Sequence, residues 1–177
     1  MVRTRIAGLF MIAALGLAGC ATAPPAGAVQ PPAVVRVDPA RFYDGVWHEF
    51  ARRPSKLTDG CVAATTTYRR IDARKVAVRD ACHQGGPQGR LREIKGVGRI
   101  LDPGVDGVLR VRYLGVIVWE YRVIAVDPDH QWFISTDPSF HKLFIFTRDP
   151  TPSDALKARM VDEARSLGFP VDQLEFL

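Results

Sequence analysis

Between Val46 and Arg148 this chain runs through eight short β-type segments with almost nothing between them. They are Val46–Arg52, Cys61–Arg70, Lys75–Cys82, Leu91–Leu101, Gly107–Tyr113, Val118–Val126, Gln131–Thr136 and Leu143–Arg148. Gly, Pro and Asp separate them, as in Gln84-Gly85-Gly86-Pro87, Asp102-Pro103-Gly104 and Asp127-Pro128-Asp129. A parallel pair needs a crossover of about a dozen residues or more, usually a helix, and these connections leave no room for one. The sheet must therefore be antiparallel, and this many strands must form a sandwich or a closed barrel. One helix follows. Thr151-Pro152-Ser153-Asp154 is a start signal, with Thr151 as N-cap and Pro152 at the first helical position. Leu156, Met160, Ala164 and Leu167 then recur at helical spacing, Gly168 is placed to end the helix, and Gln173–Leu177 forms a short final strand.

The other end of the chain carries an address. Arg3 and Arg5 precede an uncharged run, Ile6 to Ala18, too short to cross a bilayer, which takes about 20 apolar residues. Leu17-Ala18-Gly19-Cys20 resembles a bacterial lipobox. That resemblance implies cleavage before Cys20, with diacylglycerol on its sulfur and an N-acyl chain such as palmitate on its amine. Two or more chains hold a protein on a membrane essentially permanently. Ala21 in place of Asp implies the outer membrane, with the protein facing the periplasm. Residues 1–19 then form a signal peptide, 20–40 a lipidated cysteine and an Ala/Pro-rich tether, and 41–177 one folded domain.

Charge and cysteine content fit that address. The net charge of +5 falls to +3 without Arg3 and Arg5, too little for a nucleic-acid surface. With Cys20 given to lipid, Cys61 and Cys82 remain, an even number in a compartment where disulfides persist. A turn at Ile71-Asp72-Ala73 would set the two directly opposite each other on neighbouring strands, at a spacing a disulfide closes.

Three motifs now carry a resemblance to a family. Gly45-Val46-Trp47-His48-Glu49-Phe50 is similar to the first-strand G-x-W signature of the lipocalins, with His48 where bacterial members usually have Tyr. Tyr121-Arg122-Val123-Ile124-Ala125-Val126-Asp127 looks like their sixth strand, and Thr147-Arg148-Asp149-Pro150 like their third signature. The helix and tail resemble the bacterial outer-membrane lipocalins in particular. The resemblance covers about Phe42 to Leu177. It implies an all-β fold: an eight-stranded antiparallel up-and-down β-barrel (the lipocalin or calycin fold), a C-terminal helix packed outside, and a short final strand. It also implies that Trp47 plugs the closed end with Arg148 stacked on it, a structural pair.

Strand alternation extends the resemblance to a cavity. If Arg148 points inward, so do Phe146 and Phe144. Trp47 aligns with Glu49 and Ala51, and Tyr121 with Trp119, Val123 and Ala125. These residues form an aromatic and aliphatic pocket suited to acyl chains. In such a barrel the first strand runs from the closed end to the mouth, so Arg52, Arg53 and Lys56 fall at the rim. There they are expected to contact an anionic headgroup, a fatty-acid carboxylate or a lysophospholipid phosphate.

The chemistry of a catalyst is missing. His48, His83, His130 and His141 lie on separate segments, so no metal site is expected. Ser135 and Ser139 lack a nucleophile-elbow context, and Gly96-Val97-Gly98 sits inside a strand without the helix a phosphate loop needs. The expectation is a membrane-anchored protein that binds, stores or transports fatty acids or lysophospholipids in the cell envelope, with no catalytic residue and no cofactor. Its oligomeric state is left open, a homodimer being one form. The alternatives are a structural or interaction lipoprotein with a filled barrel, or an enzyme acting on a bound lipophilic ligand.

Overall fold

The computed structural model describes residues 31–56 and 58–177. The lipobox, Cys20 and the tether as far as Gln30 lie outside the described residues. A short helix α1 (Pro39–Phe42) leads into eight strands: β1 (Asp44–Arg52), β2 (Cys61–Arg70), β3 (Lys75–Gln84), β4 (Arg90–Ile100), β5 (Val108–Tyr113), β6 (Ile117–Val126), β7 (Trp132–Thr136) and β8 (Leu143–Thr147). Helix α2 (Asp154–Ser166), a 3-10 turn over Val171–Gln173 and a last strand β9 (Glu175–Phe176) complete the chain. The strands pair antiparallel in the order β2-β3-β4-β5-β6-β7-β8-β1-β9, and β1 also pairs with β2, so the sheet closes into a barrel.

The closure is asymmetric. β1 pairs with β2 over Asp44–His48 and then leaves it. β9 takes the vacated edge, pairing Phe176 with Ala51 and Glu175 with Arg52. The final strand therefore covers backbone groups that would otherwise form an open edge.

Ordered packing starts earlier than the Arg41 expected from the Ala/Pro-rich composition. Val35 N–H donates to the Val123 carbonyl and Val37 N–H to that of Val105, and Val37 is buried. Asp38 caps α1 through the Ala40 N–H, which sets Phe42 and Tyr43 across the bottom of the barrel. The Phe42 ring lies 5.4 Å from Trp47 and 4.8 Å from Phe133, and Trp47 lies 4.7 Å from Phe133. With Tyr68, Val78, Val111 and Phe146, these rings fill the closed half.

A second apolar cluster lies outside the barrel, where α2 packs on β1, β7 and β8 through Met160 and Ala164 against Ala51, Trp132, Ile134 and Ile145. The N-cap of α2 is Ser153, whose hydroxyl accepts from the Leu156 N–H, rather than Thr151. Pro152 is buried just ahead of the helix. Gly168 ends the helix at φ +88°, a left-handed conformation that glycine adopts without strain.

Candidate functional site

The barrel base is built around one stacked pair. The Arg148 guanidinium carbon lies 3.6 Å from the centre of the fully buried Trp47 ring. Arg148 Nη1 donates to the Val46 carbonyl and Nη2 to that of Arg41, while Trp47 Nε1 donates to Phe42. A pair of this kind is worth about 1–2 kcal/mol beyond its hydrogen bonds. It ties α1, β1 and the end of β8 together and closes this end of the barrel.

The opposite half is hollow. A cavity of about 270 Å³ lies under the loops joining β1 to β2, β3 to β4, β5 to β6 and β7 to β8. Glu49, Thr66, Asp80, Tyr113, Trp119, Tyr121, Phe144 and Phe146 are among its lining residues. This volume lies just below the roughly 300–1,000 Å³ typical of small-molecule sites. Of the residues expected to line the cavity, Glu49, Trp119, Tyr121, Phe144 and Phe146 do so, and Val123 belongs to the interior cluster beneath it.

Ala51 and Ala125 do not. Both point outward into the cluster under α2. The cause is the same in each strand. β1 carries one extra residue against β8 between Glu49 and Ala51, and β6 carries one against β7 between Val123 and Ala125. A bulge reverses the in–out alternation for everything beyond it.

The bulge in β1 also corrects the expectation for Arg52. Instead of standing at an exposed rim, Arg52 turns inward and is fully buried at the cavity wall. Its Nε donates to Glu175 Oε2 at 2.9 Å, Nη1 reaches Glu49 Oε2 at 3.4 Å, and Nη2 donates to the Thr58 and Cys61 carbonyls. Arg52 is thus a structural cation that closes the gap between β1, β2 and β9. Arg53 remains half-buried at the surface, donating to Gln173, and Lys56 is exposed.

The cysteines are joined, but not through the expected register. Cys61 faces Gln84 and a bulge follows Val62, so the disulfide to Cys82 runs diagonally, with the Cα atoms 5.4 Å apart. It lines the cavity beside Ala64.

Sequence reasoning missed a second carboxylate in the cavity wall, Asp80. Asp80 Oδ1 accepts from the Thr66 hydroxyl at 2.7 Å and Oδ2 from the Tyr113 hydroxyl at 2.5 Å. The Tyr113 and Tyr121 hydroxyl oxygens lie 3.1 Å apart. Burial pushes the Asp80 carboxyl above its ordinary range, against the two hydroxyls that stabilise its charge, and holds both phenols protonated. Burial also raises Glu49 to about 7, despite the nearby Arg52. The signal was present: Asp80 continues the row of Val76 and Val78, an acid among inward-facing valines.

Comparison with known proteins fits this geometry. Residues 37–177 match the model of the lipocalin-like domain. Outer membrane lipoprotein Blc of Citrobacter freundii is 30% identical over 138 residues, covering 76% of each chain. Blc of Escherichia coli K12 is 28% identical over 134 residues, 76% of this chain and 75% of that one. Among solved structures, insecticyanin from the tobacco hornworm Manduca sexta aligns with a TM-score of 0.63 at 15% identity, over 83% of each chain. The cockroach allergen Per a 4 aligns at 0.61 and 16%, over 82% of this chain and 90% of that one. With the domain match running from Val37 to the last residue, this chain is a member of the lipocalin-like family.

Proposed function

We propose that this protein is a membrane-tethered lipid carrier that binds a fatty acid or lysophospholipid in the open half of its barrel and does no chemistry on it. One observation carries the reading: a largely apolar and aromatic cavity of about 270 Å³ opens at the end of the barrel opposite the Trp47–Arg148 seal. A filled barrel describes the closed half only. The lipobox at Cys20 and the likeness to outer membrane lipoproteins support a lipid anchor in the outer membrane, with the barrel facing the periplasm. Glu49, Trp119, Tyr121, Phe144 and Phe146 contact the ligand, and the surface cations Arg53 and Lys56 meet an anionic part of its headgroup at the rim. Arg52 drops out of that role because its charge is held by Glu49 and Glu175. The test is displacement of a fluorescent fatty acid from the purified full chain, read by quenching of Trp119. Saturable displacement by lysophospholipid, lost in Phe144→Arg, is expected. Absence of any saturable lipid binding would overturn the proposal.

A further inference from the structure

Carboxylates interrupt the largely apolar cavity wall. Glu49 and Asp80 both face the cavity, and the Glu49 side chain is only 8% exposed. Glu49 Oε2 has a long contact to Arg52, while Oε1 has no hydrogen-bond partner among the described residues. Buried acceptors are normally satisfied, and one left open toward a cavity calls for a donor from what the cavity holds. Among the described residues Asp80 has hydroxyl partners only and no ion pair to a cation. Arg52, buried at the cavity wall, is already shared between Glu49 and Glu175. In the buried part of the cavity Arg52 therefore stands against Glu49, Glu175 and Asp80, while Arg92, Glu93 and Lys142 line its more exposed part.

Aromatic rings complete the pocket. Trp119 and Tyr121 stack with centroids 6.3 Å apart, and Phe144 meets Tyr121 edge-on at 6.2 Å. Carboxylates among tryptophan, tyrosine and phenylalanine are the chemistry that recognises organic ammonium groups, by charge and by cation–π attraction. A volume of about 270 Å³ holds one end of an amphiphile rather than its whole length. An alkyl chain lying against Glu49 would leave its Oε1 without a donor.

We infer that the open half of the barrel holds an organic ammonium group beside Glu49 and Asp80, within the Trp119, Tyr121 and Phe144 rings. This rests on the reading of the barrel as a lipid-binding site and names the part of the ligand that enters it. The ligand's chain then leads out through the mouth, where Ile117 borders the cavity and Leu114, Val116 and Val118 stand exposed in one hairpin. The ammonium can come from a free amphiphilic amine or from the headgroup of a zwitterionic lysophospholipid.

The test is a headgroup series on the full chain, followed by Trp119 fluorescence: dodecylamine, dodecanol and dodecanoate, which share one chain length. Dodecylamine should bind at least about tenfold tighter than dodecanoate, the effect of roughly one good charge contact. Glu49→Gln and Asp80→Asn should each reduce the ratio of amine to alcohol affinity several-fold, with circular dichroism confirming that they fold. The wild-type series decides the matter even if a variant does not fold. A second pair, lysophosphatidylcholine and lysophosphatidylglycerol, separates the sources. Preference for the choline lipid assigns the site to a lipid headgroup, and amine preference without it assigns a free amine. Dodecanoate binding as tightly as dodecylamine overturns the ammonium site and leaves the lipid reading standing. Binding of none of these compounds overturns both.

Discussion

Burial decides the charge of Glu49, and the same burial makes stability depend on pH. Its carboxyl rises from 4.5 to about 7 because desolvation outweighs the attraction of Arg52. Below about pH 4.5 the group is protonated whether the chain is folded or not. From there to about pH 7 the unfolded chain releases a proton that the folded chain keeps, so stability falls as pH rises through this window. Glu49 should therefore remove on the order of 2 kcal/mol of stability between pH 5 and pH 8. Asp80, also raised by burial, adds to the same trend. Urea unfolding at the two pH values should show a smaller loss in Glu49→Gln than in the parent chain; equal losses would show that Glu49 is not the source. Gly96 works at the same scale by staying small. A Cβ there would come within 2.8 Å of Val111 Cγ1 and 2.9 Å of Tyr113 Cδ1, so the strand glycine leaves room for the tyrosine that reaches Asp80.

At the scale of elements, bulges and edges do the assigning. The bulge in β1 sends Ala51 out to α2 and Arg52 in to the cavity, and β9 then supplies Glu175 to the buried guanidinium. Helix α2 contributes to stability without touching the cavity. Met160 and Ala164 are fully buried against the outside of the sheet, whereas none of the cavity-lining residues comes from the helix. Met160→Ala should cost about 2–4 kcal/mol by creating a cavity under the helix. Chemical denaturation would measure that loss, while fatty-acid affinity of the folded protein should stay within about twofold because the two clusters are separated by the sheet. A variant of normal stability that fails to bind would contradict this division. The turns at the closed end use their acids locally: Asp102 accepts from the Gly107 and Val108 N–H groups, and Asp127 from those of Asp129 and Gln131.

The whole molecule is a barrel filled at one end and hollow at the other, and the disulfide spans part of the hollow wall. Cys61 and Cys82 are 21 residues apart, and closing a loop of this size contributes about 3 kcal/mol through the unfolded chain. Replacing both by Ala should lower Tm by roughly 6–12 °C in a calorimetric scan. An unchanged Tm would mean that the crosslink does not form in the protein. The strand series, the antiparallel pairing and the helix at Asp154–Ser166 were legible in the sequence because period-2 alternation, turn residues and capping are local properties. The Trp47–Arg148 base was legible from motifs, and the lining roles of Trp119, Tyr121, Phe144 and Phe146 from parity counted within one unbroken stretch of strand. Parity fails wherever a strand takes an extra residue, and nothing in Glu49-Phe50-Ala51 or Val123-Ile124-Ala125 announces one, because a bulge is fixed by the register of the partner strand. For that reason the sequence by itself determined a closed antiparallel barrel with an outside helix. Only the tertiary structure decided that Arg52 is buried, that Ala51 and Ala125 face away from the cavity, and that carboxylates from β1 and β3 both line it.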